Sequence, residues 1–182
     1  MNPMTLDRAR REDVARALDF ANWAAQHTTA NFALEPEPLD MWLADFDRNE
    51  AMYPWLVARS NEAVVGFAKG GPHRLRGAYA WTAEVTVYVD PDHHRQGIAS
   101  ALYRVLLSVM RDQGYVTLLA GITTPHAASE ALHASFGFRR CATFHRAGWK
   151  FDAWHDVSYW ELFMQPADAS PAPLRSVSAV WK

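Results

Sequence analysis

The stretch Val87-Tyr88-Val89-Asp90-Pro91-Asp92-His93-His94-Arg95-Gln96-Gly97-Ile98-Ala99-Ser100-Ala101-Leu102 decides how this chain folds. Its first residues close a run from Tyr79 to Val89 that is rich in β-branched and aromatic side chains, the composition of a strand. Asp90-Pro91-Asp92 stops that strand with turn chemistry. Beyond the turn Ile98, Ala101, Leu102, Val105, Leu106 and Val109 recur at helical spacing, and Gly114 offers a C-cap. The unit is strand, tight turn, helix. Gly97, Ala99, Ser100 and Ala101 are small, so a ligand can approach the backbone where the helix begins. The first N–H groups of a helix lack internal partners, and the dipole is positive there. A pyrophosphate suits such a place, with Arg95 adding charge beside it. A plain strand-to-helix turn fits the same residues. Two named phosphate motifs fail: no P-loop Gly-Lys-Ser/Thr is present, and Gly97 belongs to no full G-x-G-x-x-G.

Upstream of this unit, Val14, Ala17, Leu18, Ala21 and Ala25 predict an amphipathic helix from Arg11 to Gln26. A turn-prone stretch, Thr28 to Pro38, separates it from a second helix that starts at Leu39 and ends near Asn49. Trp55–Ala58 and Ala63–Ala68 flank a polar tetrapeptide and read as a hairpin, followed by the loop that Gly70-Gly71-Pro72 opens. Downstream come a short apolar strand, Val116 to Ala120, a helix, Ala127 to Ser135, and a break at Gly137. Two more strands follow, Arg140 to Arg146 and Ser158 to Met164. The expected architecture is α/β: one domain over residues 1–165, with a mixed β-sheet flanked by helices. Residues 166–182 form a C-terminal extension with Pro166, Pro171 and Pro173, expected on the surface or on a partner subunit.

The bulk composition narrows the function classes. A chain of 182 residues with 49% apolar and 13% aromatic content can bury a core. A formal charge of -2 gives no general attraction to nucleic acid or an anionic membrane. Cys141 is the single cysteine, which excludes an internal disulfide and a Cys-rich metal site and suits a reduced, cytoplasmic setting. His93 and His94 are adjacent, and adjacent side chains on an extended segment point apart, so no metal site is expected there. The N-terminus lacks a signal-peptide core and no stretch reaches membrane length, so a soluble protein is expected.

Within the strand, Ala83, Val85, Val87 and Val89 share one face, and Glu84 lies on the other with Thr82, Thr86 and Tyr88. A carboxylate inside a strong strand is costly to bury. Lining a cleft, it could act as a general base; otherwise it is an exposed strand-face residue or half of a structural ion pair.

The central unit resembles the GCN5-related N-acetyltransferases (GNAT), whose signature Arg/Gln-x-x-Gly-x-Gly/Ala binds the pyrophosphate of acetyl-CoA. Gly97 and Ala99 match it, while His94 stands where Arg or Gln is usual. Longer stretches are similar to the phosphinothricin acetyltransferases within that family: Tyr53–Ala58, Ala78–Val89, Leu132–Phe138 and Gly148–Val157, in the same order and at the same spacing. The likeness runs from Thr5 to Gln165.

The resemblance implies a GNAT fold, acetyl-CoA as co-substrate, no metal, a homodimer, and acetylation of a small amino-acid-like amine by direct attack. It places the acetyl-CoA site on Val87, Tyr88, Val89, His94, Arg95, Gln96, Gly97, Ile98, Ala99 and Ser100, with His126 and Ser129 on the next helix. It makes Glu84 the base, His133 a residue for substrate binding or proton transfer, and Tyr103 a candidate acid for the leaving thiolate. Bland alternatives are a structural histidine and an aromatic packed on the sheet. Phe32, Arg74, Arg76 and Tyr79 take substrate contacts, since a guanidinium can bind a carboxylate or phosphinate through two hydrogen bonds. Two departures stand out. His126 replaces a usual Asn, although Ser129 is retained, and Ala33 replaces the Arg that usually follows the loop phenylalanine. Losing that charge-assisted bond costs roughly 1.5–3 kcal/mol, which widens the choice of acceptor to methionine sulfone or sulfoximine, another amino acid or a polyamine. An acyl-CoA-binding module without turnover is the rival from a different class.

Overall fold

The strand-turn-helix unit is the centre of the molecule. In the computed structural model, which describes residues 4–166 and 170–181, the strand β4 (Thr82–Val89) leads through a 3-10 turn (Pro91–His93) into the helix α3 (Ile98–Gln113). Ile98, Leu102, Leu106 and Met110 of α3 are almost wholly buried against the sheet. Each such side chain contributes about 1.5–3 kcal/mol by leaving water. Gly114 closes the helix at φ 100°, a left-handed conformation that glycine adopts without strain.

The other elements in chain order are β1 (Thr5–Arg8), α1 (Val14–His27), α2 (Leu39–Asn49), β2 (Trp55–Ser60) and β3 (Ala63–Pro72), all before β4. After α3 come β5 (Thr117–Thr124), α4 (Ala127–Ser135), β6 (Arg139–Lys150), β7 (Ala153–Phe163) and the short α5 (Val177–Val180). The sheet has seven strands in the order β1-β2-β3-β4-β5-β7-β6. Neighbours run antiparallel except β4 and β5, which are parallel. One core holds α3 against Ala83, Val85, Leu118 and Ala120. A second, on the opposite face, packs α1 and α2 against Trp55, Val57, Phe67 and Tyr88. The face alternation expected for β4 is thus present. No helix among the described residues is long and apolar enough to cross a membrane.

The structure departs from the sequence expectations in several places. Gly70-Gly71-Pro72 do not open a loop: they extend β3 and pair with Val85, Glu84 and Ala83 of β4, and β5 runs on to Thr124. Tyr79 is not in the strand: Gly77–Tyr79 form a 3-10 turn closed by Tyr79 N–H to Arg76 O at 2.9 Å, and β4 starts at Thr82. β1 was not expected, because four residues are too few for a period to show. β6 and β7 are longer than expected and meet at Phe151-Asp152, both with positive φ (49° and 55°). Two-residue hairpin loops need that conformation and usually use Asn-Gly, so this pair hides the turn. The described part of the tail packs on its own domain. Val177 is fully buried and donates to Ala51 O at 2.9 Å, and Gln113 Nε2 holds Arg175 O at 2.9 Å.

Candidate active site

β4 and β5 stay paired over three residues only, Thr82↔Thr117, Ala83↔Leu118 and Glu84↔Leu119. Beyond them β4 follows β3 as far as Val89, and β5 follows β7 as far as Thr124, so the two parallel strands part. The gap opens a cavity of about 690 Å³ between Val85–Val89 and Ala120–Thr123, with α3 and α4 along it. That volume is typical of a small-molecule or cofactor site.

One end of the cavity is formed by the N-terminus of α3. Gly97, at φ 79°, turns the chain into α3, and the first intrahelical bond is Ala101 N–H to Gly97 O at 3.0 Å. The N–H groups of Ile98, Ala99 and Ser100 therefore precede the helical ladder and form the positive end of its dipole. A Cβ on Gly97 would meet nothing within 4 Å, so the space over this turn is open. Asp90 stiffens the approach, accepting from Asp92 N–H at 3.0 Å and from Arg16 Nη2 at 2.6 Å. His94 lines the cavity and donates from Nε2 to Val89 O at 3.1 Å, closing the end of β4. Across the gap, His126 caps α4 by accepting Ser129 N–H on Nδ1 at 3.3 Å. Of the residues expected at this site, Val87, Tyr88, Val89, His94, Arg95 and Gly97 line the cavity, as do Ile98, Ala99, Ser100, His126 and Ser129. Gln96 is exposed and lies outside the lining. The phenol of Tyr88 is pushed up to about 12 by burial and by the charge of Glu37, and its ring stacks on Phe67 at 5.6 Å.

Deeper in, Tyr103 of α3 and His133 of α4 meet. Tyr103 is fully buried and His133 is 4% exposed. His133 Nδ1 lies 2.7 Å from Ser129 O, which can only accept, so Nδ1 carries the hydrogen. Nε2 is then an acceptor, and the Tyr103 hydroxyl donates to it at 3.0 Å. Phe136 and Phe138, around the Gly137 break, set their edges against the two rings. Burial lowers the pKa of His133 and drives that of Tyr103 far above the usual phenol range.

Glu84 points away from this pair, on the α1/α2 face of β4. Its Oε1 accepts from His73 Nδ1 at 2.7 Å. Tyr79 stands almost perpendicular to the His73 ring at 5.7 Å, and the Arg74 guanidinium lies 6.0 Å from the Tyr79 ring. Glu84, His73, Tyr79 and Arg74 thus form a chain of neighbouring side chains. Arg76 contributes its carbonyl to the 3-10 turn and leaves its side chain exposed. Phe32 sits elsewhere, against Gly148 and His155.

Three features escaped the sequence reading. His73 is fixed to Glu84 by strand register, which a sequence does not display. Tyr159, on β7 beside Gly121, is raised by burial and by Glu84. Lys150, buried at 4% exposure, donates to the carbonyls of Ala25, Asn31 and Ala33 and so clips the 28–36 loop to the end of α1. The lysine was visible within Gly148–Val157, but its partners lie over a hundred residues earlier.

The profile of the acetyltransferase (GNAT) family matches residues 16–138. A phosphinothricin N-acetyltransferase of Streptomyces viridochromogenes is 38% identical over 178 residues, which are 98% of this chain and 97% of that protein. An L-methionine sulfoximine/L-methionine sulfone acetyltransferase of Salmonella typhimurium is 33% identical, covering 87% of this chain and 94% of its own. The crystal structure of a phosphinothricin acetyltransferase from Sinorhizobium meliloti, in complex with acetyl-CoA, superposes with a TM-score of 0.87 at 25% identity over 93% of both chains. With the seven-stranded sheet parting between β4 and β5, these likenesses make the chain a member of the GNAT family of acetyltransferases, similar over nearly its whole length to the phosphinothricin acetyltransferases.

Proposed function

We propose that this enzyme acetylates the primary amine of a small amino-acid-like substrate of the phosphinothricin, methionine sulfoximine or methionine sulfone type, with Glu84 as general base. The observation that carries the reading is the parting of β4 and β5. It leaves a cavity whose helix end suits an anion, and it sets Glu84, beside that cavity and not in its lining, at the last β4–β5 pair where the strands separate. The relatives named above act on these acceptors.

Acetyl-CoA, when bound, supplies the acetyl group as a thioester. The N–H groups of Ile98, Ala99 and Ser100, with Arg95 beside them, fit its pyrophosphate. An ammonium has no lone pair, so Glu84 takes the amine proton directly or through water. Arg74 provides a charge for a carboxylate or phosphinate. Tyr103 holds a proton at Oη for the departing sulfur; a hydroxyl hydrogen turns freely about its C–O bond and can leave His133 for a new acceptor. Ala33 offers no charge in the first loop, which favours acceptors that depend less on a second cation. Exposed Phe144, Trp149 and Trp154 on β6 and β7 support a homodimer as the working form. Exposed Cys141 suits the reducing cytoplasm, where acetyl-CoA is at hand.

The test is CoA release from acetyl-CoA with phosphinothricin, methionine sulfoximine, methionine sulfone, other amino acids and polyamines, comparing wild type with Glu84→Gln. Turnover of an acidic amino-acid analogue that collapses in Glu84→Gln is the expected result. Binding of acetyl-CoA with no amine acetylated would sink this reading in favour of a binding module.

A further inference from the structure

His73 stands two residues beyond Gly71, the residue that pairs with Glu84 across β3 and β4. That register brings the imidazole to the carboxylate. Glu84 Oε1 lies 2.7 Å from His73 Nδ1, and an ionised carboxylate only accepts, so the imidazole is the donor. The side chain of His73 is 17% exposed and that of Glu84 is 41% exposed. The imidazole is held by its surroundings, with Tyr79 edge-on against it, while the carboxylate it touches remains open. Other charged or titratable groups share this neighbourhood: Arg74 from the same connection, and Tyr159 from β7, whose phenol responds to both Glu84 and Arg74. A free glutamate side chain samples many rotamers, and a charge-assisted bond to one oxygen removes most of that freedom.

We propose that His73 is a positioning residue for acetyl transfer, holding Glu84 by Oε1 so that Oε2 is presented to the amine. The inference rests on the reading of Glu84 as general base. His73 touches no reacting atom; it acts through the carboxylate. A purely structural histidine would be replaceable by another ring of similar bulk, whereas a positioning histidine must be replaced by a donor.

The experiment is a double-mutant cycle with steady-state kinetics, varying L-methionine sulfoximine and acetyl-CoA in turn, each with the other saturating. The proteins are wild type, His73→Phe, His73→Asn, Glu84→Gln and the double variant His73→Phe/Glu84→Gln. Phe keeps the ring but has no donor; the Asn amide carries an N–H close to the place of Nδ1. His73→Phe is expected to lower kcat about tenfold with KM for acetyl-CoA unchanged. His73→Asn recovers most of that loss. In the Glu84→Gln background, His73→Phe costs little more, because the two residues act as one unit. An unchanged kcat in His73→Phe, an Asn variant as poor as Phe, or a full additive loss in the double variant each overturns the inference while leaving Glu84 as base. Glu84→Gln at the wild-type rate, or a wild type without turnover, overturns the reading of Glu84 and the inference with it.

Discussion

The Tyr103 hydroxyl donates to His133 Nε2 at 3.0 Å across the junction of α3 and α4, and both residues line the same cavity. The chain is long between them, yet the bond has only one sense, because Ser129 O takes the hydrogen on Nδ1. The pair is therefore a defined proton arrangement inside the cleft, with a phenol that stays protonated and an imidazole that stays neutral.

Removing the hydroxyl tests it. Tyr103→Phe keeps the ring packed on Phe136 but leaves Nε2 buried without a donor, which costs about 1–3 kcal/mol of stability. If Oη also supplies the proton for the departing sulfur, kcat falls about a hundredfold while KM for acetyl-CoA stays near the wild-type value. Thermal melts and steady-state kinetics on the same preparation separate the two effects.

Stability should depend on pH through His133. Burial lowers its native pKa, with the Ser129 carbonyl acting in the opposite sense. Above the unfolded value of about 6.5, both states are neutral and the contribution is complete. As pH falls through that value toward the lower native one, the unfolded chain binds a proton that the folded chain refuses, so stability is lost. Melting curves from about pH 8 to about pH 5 should show a steeper loss for wild type than for His133→Gln, which does not titrate there. Parallel curves would remove His133 from the account.

Much of this site was legible in sequence because it is carried by periodic elements. The stripe from Ile98 to Val109 and the turn at Gly97 place the open N-terminal end of α3 without any long-range information. The helix Ala127–Ser135 was read at its actual limits. What was not legible depends on register and packing. Tyr103 and His133 could be named singly, but their bond follows from how α4 lies on α3. His73 reaches Glu84 only because Gly71 pairs with it across β3 and β4. The Phe151-Asp152 turn was hidden because neither residue advertises a positive φ.

The helix end itself is open to a small substitution. Gly97 has φ 79°, where a side chain is strained by about 1–2 kcal/mol, yet a Cβ there meets no protein atom within 4 Å. The methyl group of Gly97→Ala would project into the open space over the turn. Gly97→Ala should therefore melt slightly lower and raise KM for acetyl-CoA, with KM for the amine little changed. An unaltered KM for acetyl-CoA would mean that the phosphates do not lie over Gly97.

The charge of Lys150 is taken up by the protein's own backbone. Its Nζ is surrounded by the carbonyls of Ala25, Asn31 and Ala33, the first of these at the C-terminal end of α1 where the dipole is negative. Burial lowers its pKa, but the oxygens and the helix end favour the cation. Asn31 and Ala33 flank Phe32, so the lysine sets the course of the loop that the resemblance ties to the substrate. Lys150→Met keeps the length of the stem and removes every donor. The freed carbonyls then cost about 1–3 kcal/mol each unless the loop moves to meet water. A loop that moves carries Phe32 off Gly148, where a Cβ would collide with its ring. The variant is thus expected to lose stability and to show a raised KM for the amine with KM for acetyl-CoA preserved. Faster amide exchange over residues 28–36 would locate the change, since only a loop released from the lysine that holds Asn31 and Ala33 exchanges before the rest of the domain opens.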